Sequence, residues 1–316
     1  MVSAPSCLSH LAVPAIITED FSIADDLLDA LGRRNLRWEG RPLDWYFRGQ
    51  ADASWSLVPA ALRPEGAFAY GPRKVLSLAD THGRQEMAEA TVLAEFLSQL
   101  DLQGLAPPQQ DVDGFNSFVA AAEKLAFSRE PWPHRDLRPA LALAQHHGVP
   151  TRLLDWSTKP LVAAYFGARE AAERARNVAK RPEERSKVPD RFAVWALNGL
   201  VFALFGMGDL KIETVKPPRH SNPNLRAQEG ILTVLIDESR QSDDPAWFPP
   251  LDEAIRDLGE HASVKVRTFL RKMTLPTSEA GRLLRLLDQE GVSGTHLFPG
   301  VDGAVRGLRE RGLWGE

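Results

Sequence analysis

Cysteine is almost missing from this sequence, since Cys7 is the one example among 316 residues. A chain with one cysteine forms no internal disulfide, which favours a reducing compartment. An excess of charge is missing as well, because 38 Lys and Arg stand against 42 Asp and Glu, giving a formal net charge of −4. This balance excludes a global attraction to nucleic acid or to an anionic membrane, so any nucleic-acid surface has to be a local patch.

The sequence also lacks a long hydrophobic run. The most apolar stretch, residues 192–207, contains Asn198 and Gly199 midway and falls short of the ~18–20 residues that a membrane helix needs. Near the N-terminus, Pro5 and Pro14 interrupt the apolar residues and no Lys or Arg precedes them, unlike a signal peptide. We therefore predict a soluble, cytoplasmic protein without a membrane partner.

Several catalytic templates are absent too. There is no Gly-x-Gly-x-x-Gly, no Gly-Lys-Ser/Thr phosphate loop and no Gly-x-Ser-x-Gly elbow. A hydrolase triad of Ser157, His147 and Asp155 is not favoured, because three residues so close in sequence rarely meet in that way. The His146-His147 pair lacks Cys or carboxylate partners at metal spacing, so no metal site is predicted.

What the sequence does contain is 43% hydrophobic residues, enough for a packed core, with a spacing that indicates helices and strands. Helices are predicted over residues 22–32, 86–100, 115–127, 137–147, 160–175, 277–290 and 301–311. Strands are predicted over residues 45–48, 151–154, 192–197, 231–236 and 264–270. Because the two types mix without regular alternation, we predict an α+β fold rather than a doubly wound sheet.

Arg48 ends a predicted strand of aromatic residues that begins at Trp45, and Gly49 follows it. A glycine there allows a sharp turn or the close approach of a ligand. An arginine is costly to bury unless it pairs with an anion, and its planar fork suits a phosphate or a carboxylate. An internal salt bridge, for example to Asp155, satisfies Arg48 equally well, and the sequence leaves both interpretations open.

The densest group of polar residues lies within residues 145–166, around a predicted strand and the start of a helix. Ser157 or Thr158 is suited to cap the helix that begins at Pro160, and Trp156 is suited to fill the core. Capping and packing do not explain a group of polar residues just upstream. That group consists of Gln145, His146, Thr151 and Arg152. Because strand ends that face helix N-termini are natural phosphate sites, the group is a candidate for ligand binding.

A third polar cluster precedes the strand predicted to start near Gly230. If the chain is extended there, Arg226, Gln228 and Gly230 share one face. Glu229 and Ile231 then share the opposite face. Gln228 at the mouth of the strand is suited to bind a ligand hydroxyl, or else to tie down a loop.

Four blocks of the sequence together resemble the FRG domain, a bacterial family named for Phe-Arg-Gly. The blocks are Phe47-Arg48-Gly49-Gln50 with Trp55, Leu57, Pro59 and Arg63; residues 145–166; Asn224, Arg226, Gln228 and Gly230; and Leu297-Phe298-Pro299-Gly300 with Asp302 and Gly303. We accordingly predict an N-terminal helical segment over residues 1–36 and a single FRG domain over residues 37–316. A helical insertion is expected at about residues 80–135.

The same blocks resemble ADP-ribosyltransferases of the Arg–Ser–Glu type. Members carry an aromatic-Arg-Gly strand, then a strand ending in Ser-Thr-Ser before a helix, then a late strand with a catalytic Glu. Phe47-Arg48-Gly49, Trp156-Ser157-Thr158 and Gln228-Glu229 follow one another in that order. The resemblance implies an ADP-ribosyltransferase-like mixed β core surrounded by helices, with NAD as the substrate.

The resemblance also implies a role for each matching residue. Arg48 would hold the NAD pyrophosphate, and Ser157 or Thr158 would position the nicotinamide riboside. Gln228 or Glu229 would bind a ribose hydroxyl and stabilise the oxocarbenium-like transition state. The further NAD-binding positions are Phe47, Gly49, Gln145, Thr151, Arg152, Asp155, Trp156, Tyr165 and Arg226.

This chain departs from the transferase pattern in its third block. The face that should carry a catalytic Glu holds Arg226-x-Gln228, and Glu229 is expected to point away. A neutral Gln stabilises a cation less than a carboxylate does. The departure points to Glu213, or to another acid, as the missing carboxylate.

The resemblance therefore implies a bacterial toxin or antiphage-defence enzyme that transfers ADP-ribose from NAD to a macromolecule, either RNA, DNA or protein. An antitoxin or defence protein is the expected partner. Two alternatives stay open. A nucleic-acid-binding module or nuclease would set Arg48, Arg152 and Arg226 on phosphates and bind in a salt-sensitive way without NAD. A non-catalytic nucleotide sensor would keep the pocket without the acid.

Overall fold

One mixed β-sheet organises the fold in the computed structural model of the chain. The structure describes residues 14–32, 34–35, 37–38, 45–64, 66, 82–105, 131–179, 188–199, 210–215, 223–237, 248–261 and 268–314. The strands are β1 (Ile16–Asp20), β2 (Trp45–Gln50), β3 (Leu154–Ser157), β4 (Arg191–Asn198), β5 (Leu210–Val215), β6 (Gly230–Asp237) and β7 (Leu270–Pro276). Their order is β1-β7-β4-β2-β3-β6-β5, and within this sheet β1 and β7 are the parallel neighbours.

Helices of the described segments cover both faces of this sheet. They are α1 (Ala24–Leu31), α2 (His82–Leu102), α3 (Arg138–His146), α4 (Pro160–Ala179), α5 (Pro223–Gln228), α6 (Leu251–His261), α7 (Ala280–Gln289), α8 (Gly294–Leu297) and α9 (Val301–Arg311). Helices α1, α4 and α7 pack over β2, β4 and β7. Helices α2 and α3 pack over β5 and β6. The mixed α+β class predicted from the apolar spacing is therefore confirmed.

Strand β4 shows why the sheet needs helices on both faces. Phe192 and Val194 point to the core shared with α4, whereas Trp195 and Leu197 point to the core shared with α6. Side chains alternate between the two faces of a strand, so a strand that is apolar throughout buries both of them. The run of apolar residues in this part of the sequence is thus a central strand.

Gly49 allows helix α4 to lie directly against β2. A Cβ at this position would stand 2.1 Å from the carbonyl oxygen of Ala163 and 2.4 Å from the amide nitrogen of Gly167. Both of those atoms belong to the backbone of α4, so no side chain is tolerated. Of the two roles left open for Gly49, the sharp turn is excluded because β2 continues to Gln50. The close neighbour is a helix.

The N-terminal segment contributes a strand as well as the predicted helix. β1 pairs in parallel with β7, from Ile16 opposite Leu270 to Asp20 opposite Thr274. Helix α1 follows and packs its buried residues, such as Leu27, against the same core as α7. Residues 16–31 are therefore built into the central sheet and its covering layer.

The strand predicted over residues 151–154 lies three residues too early. β3 runs from Leu154 to Ser157, where it pairs with β6. The side chain of Thr151 is buried and hydrogen-bonded to other polar groups, and residues 151–153 do not join the sheet. As a result, Asp155, Trp156 and Ser157 project from a strand and not from a loop.

The third block forms a helix where an extended strand is predicted. Arg226 and Gln228 belong to α5, which begins at Pro223, and β6 starts only at Gly230. The predicted sharing of one strand face by Arg226, Gln228 and Gly230 is therefore wrong. Proline is suited to the first turn of a helix, because its missing N–H has no partner there.

Two predicted elements lie wholly or mostly outside the described residues. The helix over residues 115–127 does so entirely, and residues 264–267 of the strand predicted over 264–270 do so as well. β7 begins at Leu270, the last residue of that predicted strand. Within the described part of the chain, no helix combines the length and hydropathy needed to cross a membrane.

Candidate functional site

A cleft of about 360 Å³ opens between helices α3 and α4, above the strands β2, β3 and β6. Residues from all five elements line it, together with Gln228 at the end of α5. They are Phe47, Arg48, Gly49, Ala142, Gln145, His146, Asp155, Trp156, Ser157, Val162, Ala163, Phe166, Glu170, Gln228, Gly230, Ile231 and Leu232. The cleft has the volume of a small-molecule site and combines apolar walls with a few polar groups.

Arg48 lies where the strands β2 and β3 separate. The ladder between them has a single register pair, Phe47 opposite Ser157. Beyond that pair, Nη1 of Arg48 donates to the carbonyl oxygen of Asp155 at 2.9 Å and lies 3.5 Å from its carboxylate. The predicted internal contact with Asp155 is therefore present, but it occupies one nitrogen of the guanidinium.

The remaining donors of Arg48 make it available to a ligand. Its Nε is buried and has no hydrogen-bond partner within the described residues, while 15% of the side chain is exposed at the cleft. A buried donor without a partner costs free energy, which a bound anion would recover. The internal contact and a role in anion binding are thus compatible.

A chain of polar contacts holds Asp155 against helix α3. The side-chain amide of Gln145 donates to Oδ1 of Asp155, and its oxygen accepts from the hydroxyl of Thr151. Thr151 is only 2% exposed, and it also accepts from the amide of Leu153. Gln145 and Asp155 therefore line the cleft, whereas the buried Thr151 holds Gln145 through its hydroxyl.

Ser157 joins the second and third blocks beneath the cleft. Its hydroxyl donates to the carbonyl oxygen of Gln228 at 2.7 Å and accepts from the amide of Lys159 at 3.0 Å. The same hydroxyl thus fixes the turn before β6 and the chain that enters α4. Ser157 is buried, but it remains part of the cleft floor.

Gln228 and Glu229 point in different directions. Gln228 lines the cleft and donates from Nε2 to the carbonyl oxygen of Leu297 at 3.3 Å. Glu229 accepts from the hydroxyl of Thr158 at 2.6 Å and lies 3.0 Å from the ammonium of Lys159. Because Thr158 and Glu229 bind each other in this way, neither is among the residues that line the cleft.

Glu229 has a backbone conformation that residues other than glycine seldom adopt. Its φ is +46°, and within the described part of the chain it is the one non-glycine residue with positive φ. Such a conformation costs free energy and persists because the surrounding contacts enforce it. Here the enforcing contacts are those to Thr158 and Lys159, so the turn between α5 and β6 is held firmly.

Three other residues predicted to bind NAD lie away from the cleft. Arg152 is 2% exposed, and its guanidinium makes two hydrogen bonds to Glu89, at 2.7 and 2.9 Å. Tyr165 is fully buried, and its hydroxyl donates to Glu310 at 3.1 Å. Arg226 is exposed on α5 and does not line the cleft. Internal partners use the polar groups of Arg152 and Tyr165, so the structure does not bring these two residues to the cleft.

Glu213 is not the missing acid of the cleft. Its carboxylate accepts from Arg138 at 2.6 Å and from Arg135 at 3.3 Å, on β5 at the edge of the sheet. Partial burial raises the pKa of Glu213, but the two guanidinium groups outweigh this effect and lower it overall. The acids that line the cleft are instead Asp155 and Glu170.

Helix α4 brings to the cleft two residues that the sequence did not assign to a ligand. Phe166 and Glu170 follow Ala163 at helical spacing, so the face of α4 that touches Gly49 also carries them. This helical spacing in the sequence could have identified Phe166 and Glu170 as residues of the cleft. His146 ends α3 and lines the cleft; burial and then His147 lower its pKa, so its imidazole is neutral at neutral pH.

The guanidinium group of Arg63 interacts electrostatically with three residues that line the cleft, Arg48, Glu170 and Asp155. Burial lowers the pKa of Arg63 first and the positive charge of Arg48 second, while Glu170 and Asp155 raise it. Its Nε donates to the carbonyl oxygen of Val58. Two guanidinium groups, of Arg48 and Arg63, thus interact with two carboxylates, of Asp155 and Glu170.

Residues 43–176 match the family model of the FRG domain. The chain therefore contains an FRG domain over these residues. The matched range holds the first two blocks, including Arg48 and residues 145–166, whereas the third block and the closing block follow it in the sequence. No curated protein and no solved structure matches the chain.

Proposed function

We propose that this FRG domain protein is an ADP-ribosyltransferase that uses NAD and modifies a macromolecular acceptor. One observation carries the proposal: Arg48, Ser157 and Gln228 come from distant parts of the sequence and line a single cleft. They are contributed by β2, by β3 and by the end of α5, which leads into β6, and these three strands are neighbours in the sheet. This is the arrangement that the resemblance to Arg–Ser–Glu transferases requires.

The roles follow from the contacts of each side chain. Arg48 binds the pyrophosphate, because its side chain lines the cleft and its guanidinium group keeps donors that the described residues do not use. Ser157 keeps Gln228 in place through the 2.7 Å bond to its carbonyl oxygen. The amide of Gln228 binds a ribose hydroxyl while Leu297 anchors it. Phe166 supplies apolar surface for the nicotinamide ring.

The reaction breaks one bond and forms one bond. The glycosidic bond between the nicotinamide nitrogen and C1′ of the ribose breaks, and its electron pair leaves with nicotinamide as a neutral molecule. A nucleophilic atom of the acceptor forms the new bond to C1′ and gives up its proton. The carboxylates of Asp155 and Glu170 favour the oxocarbenium-like transition state, and neutral His146 is suited to take the proton.

The test uses purified protein, labelled NAD and a bacterial lysate that contains both protein and nucleic acid. We expect label on a macromolecular fraction, with release of nicotinamide, for the wild type and for Arg282→Ala. Arg282 is a matched control because it is an exposed arginine paired with Asp25, away from the cleft. Arg48→Ala is expected to abolish labelling. Labelling that persists in Arg48→Ala would contradict the assigned role of Arg48.

A second candidate, a nucleotide sensor without catalysis, is favoured by one feature of the site. The third block presents the amide of Gln228 to the cleft, while Glu229 is held by Thr158 and Lys159. An amide binds ribose but stabilises a cation less than a carboxylate does. Saturable NAD binding by the wild type without release of nicotinamide would select the sensor.

The nucleic-acid alternative has less support from the geometry. It requires Arg48, Arg152 and Arg226 to contact phosphates together. Arg152 is buried in an ion pair with Glu89, which leaves Arg48 in the cleft and Arg226 outside it. Binding of RNA or DNA that weakens with salt and does not need NAD would select this alternative.

A toxin or antiphage-defence role belongs to the same proposal. The acceptor would then be RNA, DNA or protein of the cell or of an invading phage, and an antitoxin or defence partner would restrain the activity. The labelled fraction in the lysate experiment identifies the acceptor class. Treatment of that fraction with protease or nuclease distinguishes the acceptors.

A further inference from the structure

Helix α9 carries an apolar stripe on its exposed side. The stripe consists of Val301, Ala304, Val305 and Leu308, which follow the i, i+3, i+4, i+7 spacing of one helix face. Val301 is 81% exposed, Leu308 70% and Val305 39%. Six large hydrophobic side chains are exposed among the described residues, and these three are half of them. Exposed apolar surface is therefore concentrated on one short helix.

The stripe cannot turn inward, because the opposite face of α9 is fixed in the protein. Glu310 is buried there and accepts from the amide of Gly294 at 2.8 Å and from Tyr165 at 3.1 Å. Gly303 lies so close to the carbonyl oxygen of Phe298 that a Cβ would stand 1.7 Å from it. The apolar side of α9 is therefore presented to the solvent by a rigidly seated helix.

The spacing of the stripe makes it complementary to itself. Its four positions are symmetric about the midpoint between Ala304 and Val305. If two copies of α9 lie antiparallel with these midpoints aligned, Val301 of one copy meets Leu308 of the other. Ala304 then meets Val305 of the other copy. A two-fold symmetric pair uses the same patch on both copies, as most homodimers do.

The charges that flank the stripe fit the same pairing. Asp302 and Arg309 are seven residues apart, so they lie on the same side of the stripe. In the antiparallel pair, Asp302 of one copy lies about 3 Å along the axis from Arg309 of the other, at 1.5 Å of rise per residue. Both side chains are exposed, and neither makes an ion pair within the described residues. Two symmetric ion pairs thus become available on association.

We propose that α9 is a self-association surface, on which a second copy of this chain docks its own α9 in antiparallel orientation. The surface spans 11 residues, about three helical turns. A contact of this size is smaller than a standard protein–protein interface, so the association is reversible and depends on concentration. The proposal is independent of the reaction assigned to the cleft.

Sedimentation velocity of the full chain over a concentration series provides the first test. The wild type is expected to shift from monomer to dimer as its concentration rises. Leu308→Lys places a charge in the stripe and is expected to weaken dimerisation about a hundredfold. Leu102→Lys is the matched control, because Leu102 is 74% exposed on α2 and outside the stripe. Thermal unfolding followed by circular dichroism verifies that both variants fold.

A charge exchange tests the orientation of the pair. Asp302→Arg and Arg309→Asp each set like charges against one another and are expected to weaken dimerisation about tenfold. The double variant restores two opposite-charge pairs and is expected to regain wild-type dimerisation. A wild type that stays monomeric at every concentration overturns the proposal, and so does a dimer that is indifferent to Leu308→Lys. Absence of rescue by the double variant overturns the antiparallel register.

Discussion

Arg48 and Arg152 are both mostly buried, yet their guanidinium groups use their hydrogen-bond donors differently. Arg152 makes two bonds to the carboxylate of Glu89 and a third to the carbonyl oxygen of Trp132, and it stacks 4.5 Å from the ring of Phe248. Arg48 donates from Nη1 to the backbone of Asp155, and its Nε lacks a partner in the described residues. The first arginine is satisfied by the protein, and the second leaves donors for a ligand.

The comparison of Arg48 with Arg152 separates an arginine that has a structural role from one that is suited to bind a ligand. Burial alone does not separate them, since both are costly to remove from water. The distinction lies in whether the protein supplies acceptors for all the donors and in whether a cavity adjoins the group. Arg48 meets both conditions for a binding role, whereas Arg152 ties helix α2 to the chain before β3.

The largest effect is expected from breaking the structural pair. Arg152→Met leaves the carboxylate of Glu89 buried without its cation, so the free energy of unfolding should fall by about 3–5 kcal/mol. Chemical denaturation measures this change. Glu89→Gln in the same chain should restore part of the loss, because the charge is then gone and Trp132 keeps an acceptor. A fall below about 1 kcal/mol would contradict the structural role of the pair.

The next effect concerns Arg48 and falls on binding more than on stability. Arg48→Gln should weaken NAD binding about 10- to 100-fold, as expected for lost hydrogen bonds to a charged group. The free energy of unfolding should change much less than for Arg152→Met, because Asp155 is 63% exposed and stays solvated. Calorimetric titration and denaturation measure the two quantities. Arg48→Lys keeps the charge but loses the planar fork, and should bind with intermediate affinity.

Glu310 supplies an intermediate case, a buried acid that is only half satisfied. Burial raises its pKa, even though the amide of Gly294 and the hydroxyl of Tyr165 both donate to Oε2. Oε1 has no partner within the described residues. Because the pKa is higher in the folded state, stability is fully present below the ordinary glutamate pKa and is lost as the pH rises through the raised value.

Glu310→Gln should remove this loss. The variant carries no charge, so near pH 8 its free energy of unfolding should exceed that of the wild type by about 1 kcal/mol, because the wild type then holds a buried carboxylate. Near pH 5 the difference should shrink, because the raised pKa lets the folded state take up a proton on Glu310 more readily than the unfolded state does. Thermal unfolding at both pH values measures the effect. A difference that grows toward acid would contradict the raised pKa.

The smallest effect is expected from an arginine in the solvent. Arg282 makes two hydrogen bonds to Asp25, at 2.7 and 3.1 Å, but both side chains are exposed. Water and salt screen such a pair, so Arg282→Ala should leave the unfolding midpoint unchanged. The same variant should bind NAD as the wild type does. A measurable loss of stability would show that geometry outweighs exposure in this comparison.

The sequence predicted most of the helices and strands whose boundaries depend on neighbouring residues alone. α9 runs over Val301–Arg311 as predicted. α3 ends at His146, and one further residue separates it from Gly148, whose φ is +86°. These boundaries follow from helical periodicity and from glycine. Strands β1 and β5 were not predicted, because they are short edge strands with charged residues that weaken the alternating pattern.

The candidate site was predicted in outline but not in its details. Arg48, Asp155 and Gln228 were assigned from their sequence blocks, and the structure brings them to one cleft. The fate of Arg152 was set by Glu89, which is 63 positions away in the sequence. A pattern among neighbouring residues does not indicate a partner that is so distant in the sequence. The register of β3 likewise depends on its pairing with β6, which only the folded sheet defines.

The most direct test of the account is a calorimetric titration of NAD into the wild type, Arg48→Gln and Arg282→Ala. We expect saturable binding by the wild type and by Arg282→Ala, and binding at least about tenfold weaker by Arg48→Gln. Equal affinity of all three proteins, or no binding by the wild type, would contradict the central claim that Arg48 makes this cleft a site for NAD.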